Sequence, residues 1–505
     1  MGKRITIALG ISIALMLWSA PSLAQAPVAI DPRVLEDTAN GKIGNFLIVL
    51  KTQTPTRTIA ERAPNRAERG RAVFDALRET ARVTQPALRA QLEALGANYH
   101  AYYVANVIAA EGNRAAVDAM AARGDVIAIE SDRPFYVSLE TAEPFGIAAP
   151  ATVEWNISKV NPPGVWAQGY TGQNRVYANA DTGVQWDHPA LKPQYRGWNG
   201  TSADHNFNWW DAVHSDHSGN GTNPCGFSIV APCDDFGHGT HTMGTGIGND
   251  GAGNSIGMAP GAKWIACRNM DEGWGSPSTY IECMNFFLAP TDLNGNNPNP
   301  ALAPDAVGNS YTCPPAEGCV ESSLLIAVNN MRSAGIFMSI SAGNSGSGCS
   351  TINEPPSHYD SAITIGATDQ NDNIAGFSSR GPITIDGSNR RKPDLVAPGV
   401  NVRSSERGNV YGFMSGTSMA SPHVAGAVVL LWSAFPNLRR QVDLTEQILE
   451  SNAVHLTTTQ GCGGDSSTVV PNNIYGYGRL DVLAAYNYVV NNPLVFKYLF
   501  PLIFR

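Results

Sequence analysis

The chain has 505 residues, 43% of them hydrophobic and 15% charged, with 50 glycines and a formal net charge of -9. At ~100 to 200 residues per domain this makes two or three folded units, and the composition excludes a disordered or collagen-like chain. Net negative charge without a basic block excludes nucleic acid as an expected partner.

In chain order, Lys3 and Arg4 precede an apolar run from Ile5 to Trp18, and Ser22-Leu23-Ala24 closes it with small residues. That is the pattern of a signal peptide over residues 1–24, and it predicts export to the cell exterior. The run falls short of the ~20 apolar residues a membrane span needs, and no later segment reaches that length. The eight cysteines, all between Cys225 and Cys462, fit an oxidising compartment. Short separations favour Cys225 with Cys233 and Cys313 with Cys319, while the lack of any CxxC pair speaks against structural zinc.

Residues 45–136 read strand, helix, strand, helix, strand. Phe46-Leu47-Ile48-Val49-Leu50 is a continuous apolar run, residues 66–95 carry Val73, Leu77, Leu88 and Leu92 at helical spacing, 102–109 read as a strand, 113–123 as a helix and 126–129 as the closing strand. Residues 138–153 show no periodicity and read as a processing linker or an ordered surface loop. From Trp155 to about Asn491, short apolar runs at 175–180, 263–267, 306–309, 336–341 and 362–367 alternate with helical stretches such as 322–334. Such alternation predicts an α/β domain, a mostly parallel sheet covered on both faces. The tail PLVFKYLFPLIFR, from Pro493 to Arg505, reads as a packed strand or a sorting segment and is too short to span a membrane.

Three segments carry chemistry: ADTGVQWDHPAL from Ala180, DFGHGTHTMGT from Asp235 and GTSMASPHVAGAVVLL from Gly416. Singly they are weak. Asp181 is also a turn-capping residue type, His238 with His241 also suits a metal pair, and Ser418 before an apolar helix also suits an N-cap. The metalloprotease pattern HExxH is absent. Together they supply what acyl transfer by serine requires: a nucleophile at a helix N-terminus, a base to take its proton and a carboxylate to orient that base. The order Asp, His, Ser is that of subtilisin.

In these segments, and in GMAPGAKWIACRNMD from Gly257, SAGNSG from Ser341, FSSRGP from Phe377 and KPDLVAPG from Lys392, the chain resembles the subtilisin-like serine proteases (subtilases). With APTDLNGNNPNP from Ala289, it is most similar to their bacillopeptidase F branch. The resemblance runs from Trp155 to about Tyr486. It implies a subtilisin-like three-layer α/β fold preceded by a small α+β, ferredoxin-like propeptide that serves as intramolecular inhibitor. The expected organisation is signal peptide 1–24, propeptide 25–140 with an inhibitor-like domain at about 45–137, processing linker 141–154, peptidase 155–491 and apolar tail 492–505. It further implies Asn344 as the oxyanion-hole donor beside the Ser418 backbone N–H, and substrate-binding positions at Ser310, Tyr311 and Thr312, at Gly273, Trp274 and Gly275, and at Ser341 and Gly343.

The branch commonly has Trp-Gly where this chain has Tyr311-Thr312, so the resemblance implies the protease class without a cleavage preference. No cofactor is expected for the chemistry. Structural calcium is an option by analogy, although Asp292-Leu293-Asn294-Gly295-Asn296 lacks the sixth-position Gly and twelfth-position Glu of a calcium loop. His205, His214 and His217 lie in an Asp- and Gly-rich insertion that serves either a metal or turns. The expected protein is a secreted monomeric serine endopeptidase acting on proteins or peptides. The competing functions are a catalytically silent binding protein on the same fold and an esterase using the same serine.

Overall fold

The computed structural model describes residues 28–141, 143–144, 153–315, 318–319 and 324–493. The signal-peptide reading, most of the tail and residues 145–152 of the linker lie outside the described residues.

Five strands form the N-terminal sheet: β1 (Ala29–Ile30), β2 (Gly44–Leu50), β3 (Asn98–Tyr102), β4 (Val107–Gly112) and β5 (Val126–Ser131). Their order is β1-β5-β2-β4-β3, with β1 parallel to β5 and the other pairs antiparallel. Without β1 this is the ferredoxin-like order. Two sequence expectations change here. The helix expected over 66–95 is two, Arg66–Thr84 and Pro86–Ala94, because Pro86 has no N–H to continue the first and is well suited to open the second. The strand expected over 102–109 is a hairpin, turning at Asn106 with φ 44 and its side chain donating to the Thr52 carbonyl at 2.7 Å. An unbroken apolar run concealed that turn.

Alternation along β2 gives the small domain two apolar faces. Phe46, Ile48 and Leu50 pack with Leu88, Leu92, Val117 and Ile129 inside the domain. Leu47 and Val49 point the other way, into a cluster that includes Tyr280, Ile281 and Phe287 of the larger domain. The small domain therefore completes its burial on the large one. Beyond β5 come β6 (Phe135–Tyr136) and β7 (Glu143–Pro144).

The large domain is built on β8 (Val176–Asp181), β9 (Trp209–Asp211), β10 (Lys263–Arg268), β11 (Trp274–Gly275), β12 (Ala306–Asn309), β13 (Phe337–Ser341), β14 (Ile363–Thr368), β15 (Leu395–Pro398), β16 (Val402–Glu406) and β17 (Val410–Met414). Seven of these make an all-parallel sheet, in the order β15-β14-β13-β12-β8-β10-β9. Strands such as FMSIS of β13 are buried along their whole length, as a sheet covered on both sides demands. Helices His238–Ile247 and Thr417–Ala434 contribute to the core of one face, and helices Pro277–Leu288 and Leu325–Ser333 to that of the other.

Both expected disulfides, Cys225–Cys233 and Cys313–Cys319, are formed. Two more, Cys267–Cys283 and Cys349–Cys462, join residues 16 and 113 positions apart. Among the described residues no helix is long and apolar enough to cross a membrane.

Candidate active site

Parallel sheets open their ligand crevices at the carboxyl ends of the strands. Asp181 is the last residue of β8 and fully buried. Its Oδ1 accepts the Thr182 backbone N–H at 2.8 Å and lies 2.7 Å from His238 Nδ1, while Oδ2 accepts from Thr242 Oγ1 at 3.1 Å. His238 opens the helix His238–Ile247. Asp234 ties that helix start to the strand end, accepting from Thr182 Oγ1, from the backbone N–H groups of Phe236, Gly237 and Thr240, and from Thr240 Oγ1, at 2.5 to 3.0 Å. Gly239 lets helix and strand end meet, since a Cβ there would fall 2.0 Å from the Gly183 carbonyl oxygen.

Ser418 is the second residue of the helix Thr417–Ala434. Its hydroxyl donates to the Ser310 carbonyl at 3.2 Å, and the Ser310 hydroxyl donates to the Ser418 carbonyl at 2.9 Å. Asn344 follows β13 by three residues. Its Oδ1 accepts from the Thr417 backbone N–H and hydroxyl, both at 2.9 Å, which turns its NH2 group into the cleft.

What meets those groups is Glu140, from the segment between β6 and β7. Its Oε2 lies 3.0 Å from His238 Nε2 and its Oε1 accepts from Asn344 Nδ2 at 2.6 Å. The carboxylate sits so close to the start of the Ser418 helix that a Cβ on Gly416 would come within 1.7 Å of Oε1. The chain reaches this point by strand addition on both sides. Upstream, β6 pairs antiparallel with β11, and the Val137 N–H donates to the Gly273 carbonyl at 2.9 Å. Downstream, β7 pairs antiparallel with Gly412 and Phe413 of β17. The chain is thus paired to the peptidase domain both before and after Glu140, which lies at the centre.

His238 now has a carboxyl group beside each ring nitrogen. Burial alone would disfavour a charge on the ring, but Asp181 and Glu140 together push the pKa up to about 10. That shift favours the imidazolium, the form that cannot take a proton. His241, the other half of the weighed metal pair, is buried with Nε2 against the carbonyls of Val402 and Gly412 at 3.0 and 3.2 Å. Burial holds it neutral, with the pKa down at about 3.

The positions expected to bind substrate divide. Gly273, Trp274 and Gly275 border the cleft, where Trp274 pairs with Tyr136 and its ring centroid is 5.8 Å from that of the tyrosine. Ser310 lies against the serine, and the Gly343 N–H donates to Thr417 Oγ1 at 3.2 Å. Ser341 ends β13 in the interior. The departure at Tyr311-Thr312 is partly absorbed: the Tyr311 ring turns into the core, stacked on Tyr280 at 4.2 Å. Thr312 is also buried, its hydroxyl donating to Glu354 at 2.5 Å and its methyl 3.9 Å from where a Gly343 side chain would begin.

The loop considered for calcium spends Asp292 on donors. Its Oδ1 accepts the N–H groups of Asn294 and Asn296, and its Oδ2 accepts from Asn297 Nδ2. The histidines of the insertion are dispersed: His205 bonds the Tyr195 hydroxyl at 2.8 Å, the His217 backbone donates to Asp271, and His214 turns to Glu282. Sequence reasoning missed Glu140 and Asp234. Nothing in the local pattern separates Glu140 from its neighbour Glu143, because pairing at both ends of the segment is what selects it.

A seven-stranded parallel sheet, a serine at a helix start and an imidazole bound to a strand-end carboxylate place the chain in the α/β class, with its candidate site at the carboxyl ends of the strands. The comparisons narrow it. The sequence model described as the subtilase family matches residues 172–478, more than half of the chain, and the protein belongs to that family. It is 38% identical over 411 residues to bacillopeptidase F of Bacillus subtilis (strain 168), a match covering 78% of this chain and 26% of that protein. It is 32% identical over 337 residues to subtilisin E of the same organism (66% and 71%) and 31% identical over 335 residues to subtilisin Savinase of Lederbergia lenta (66% and 98%). The chain thus spans about a quarter of the length of bacillopeptidase F.

Proposed function

We propose that this subtilase is a serine endopeptidase, exported as a precursor, that cleaves proteins through an acyl-enzyme formed on Ser418. The observation that carries the proposal is the bond from His238 Nδ1 to the buried Asp181 at 2.7 Å, with the other nitrogen of the same ring turned into the cleft beside the Ser418 helix. His238 takes the Ser418 proton as the hydroxyl attacks the scissile carbonyl. Asp181 orients the ring and stabilises the imidazolium that results. Asn344 Nδ2 and the Ser418 backbone N–H, at the positive end of the helix, receive the developing oxyanion. The imidazolium then protonates the leaving amine, and water releases the acyl group by the reverse steps.

Removal of the Asn344 amide should act on the transition state alone. Asn344→Ala is expected to lower kcat by ~10²- to 10³-fold, the range measured for such a donor in subtilisin itself, with KM little changed. A rise in KM at constant kcat, measured on a peptide substrate, would mean that Asn344 binds substrate and nothing more.

Residues 25–140 act in this reading as a propeptide, with its end from Phe135 to Glu140 as a captive, unproductive substrate. Glu140 occupies the oxyanion donor and stabilises the protonated form of the base, so it brakes self-cleavage. Glu140→Gln keeps the shape and removes the charge, a loss of about 1.5–3 kcal/mol for a hydrogen bond to a charged group. That corresponds to a roughly 10- to 150-fold faster maturation.

The same interaction makes precursor stability depend on pH. A folded-state pKa raised above the ordinary histidine value of about 6.5 stabilises fully below that value, and the contribution is lost as pH rises through about 10. Thermal melts of Ser418→Ala precursors should therefore show the chain that keeps Glu140 to be more stable near neutrality than the same chain carrying Glu140→Gln, the gap closing toward pH 10. A gap that stays constant over this range, or maturation no faster in Glu140→Gln, would count against the brake.

A further inference from the structure

The three histidines of the insertion do not meet one another, but His214 meets a fourth from the other domain. Its ring lies parallel to that of His100 on β3, with centroids 5.2 Å apart and planes 8° from parallel. His214 Nε2 is 2.8 Å from Glu282 Oε1, on the helix Pro277–Leu288. One ligand atom from each of His100, His214 and Glu282 lies within 4.8 Å of the other two. We propose that these three residues form a binding site for a borderline divalent metal ion of the Zn²⁺ class, bridging the N-terminal domain and the peptidase domain.

The donor set is the first reason. Two imidazoles and one carboxylate are the ligands of a three-residue zinc site with a fourth position left for water, whereas Ca²⁺ and Mg²⁺ call for oxygen donors. The surroundings are the second. Protein metal sites hold their ligands from behind, and both peptidase-side residues are so held. His214 Nδ1 bonds Ser228 Oγ at 2.8 Å, which directs Nε2 to the site. The buried Glu282 accepts from Trp210 Nε1 on Oε1 and from the Tyr102 hydroxyl on Oε2, each at 2.7 Å. A plain His214 and Glu282 ion pair accounts for those contacts but leaves the His100 ring, stacked on His214, without a polar partner. Among the described residues neither ring nitrogen of His100 makes a hydrogen bond, and the side chain is exposed, so its ring can turn to present a lone pair without disturbing the fold.

One ligand from the N-terminal domain and two from the peptidase make the ion a clamp. Metal that binds the assembled pair, and neither part alone, strengthens their association by the factor 1 + [metal]/Kd, about 100-fold at a free concentration 100 times Kd. The site stands on its own geometry. Its role in holding a cleaved propeptide rests on the proposed peptidase function.

The test uses the complete Ser418→Ala chain, stripped with a chelator and titrated calorimetrically with Zn²⁺ alone and with Ca²⁺ alone. One Zn²⁺ per chain is expected, with no matching Ca²⁺ isotherm, and His100→Ala and His214→Ala should each weaken Zn²⁺ at least ~10-fold. His100→Ala changes an exposed side chain, so an unaltered melting temperature in chelator will show that its fold is intact. Absence of saturable Zn²⁺ binding overturns the site. So does binding that both variants leave unchanged, which would be an adventitious ion only. For the clamp, propeptide release from the self-cleaved parent is timed with Zn²⁺ and with chelator; equal rates reject it. A Ser418→Ala chain that binds Zn²⁺ through His100 yet is still cut at the linker would leave the site standing and sink the peptidase reading instead.

Discussion

A Ser418→Ala chain should remain joined to its N-terminal domain and hydrolyse peptides about 10⁶-fold more slowly than the parent, the scale found when the subtilisin nucleophile is removed. The expectation follows from where the hydroxyl lies. Ser418 Oγ is held at the Ser310 carbonyl, 3.2 Å away, at the first turn of a helix whose interior is buried on every side. Alanine fits the same space, so the fold should survive and the loss should be chemical. Two measurements check it: gel analysis of the purified chain for the uncut precursor, and turnover on peptide and ester substrates in parallel. Self-cleavage that persists in purified Ser418→Ala would remove Ser418 from the mechanism. A parent that hydrolyses esters but never cuts peptides, with the ester activity lost in Ser418→Ala, would make the enzyme an esterase.

Asp181→Asn should cost about 10⁴-fold in kcat near neutral pH, with a much smaller change in KM. Asp181 Oδ1 already takes two donors, His238 Nδ1 and the Thr182 N–H, while Oδ2 takes one from a hydroxyl that can rotate. An asparagine can keep its oxygen toward His238 and turn its NH2 group to Thr242, so the ring can remain in place. What disappears is the negative charge that stabilises the imidazolium at the moment the Ser418 proton is transferred. Circular dichroism should be unchanged while activity falls. Activity within tenfold of the parent would show that another group orients His238.

These expectations draw unequally on sequence and fold. Asp181, His238 and Ser418 stand in local motifs, so their types and order were readable without coordinates. Asn344 was readable only through resemblance, because an asparagine between Gly343 and Ser345 is an ordinary turn residue until Thr417 fixes its amide. Cys225–Cys233 and Cys313–Cys319 followed from short separation. Cys349–Cys462 did not, since 113 residues intervene. The parallel sheet was visible in its buried apolar runs, but the hairpin at Asn106 was hidden by the same property, apolar residues continuing through the turn.

The sequence by itself determined the family, the candidate nucleophile, base and carboxylate in their order, and the presence of a small α/β unit ahead of a large one. The tertiary structure decided which groups those residues face. His238 Nε2 meets a carboxylate 98 positions earlier in the chain, Asn344 meets the same carboxylate 204 positions away, and His100 meets His214 across the domain boundary. Such partners are chosen by strand pairing and by the burial of one domain on another, which act through space and leave no period or motif along the chain.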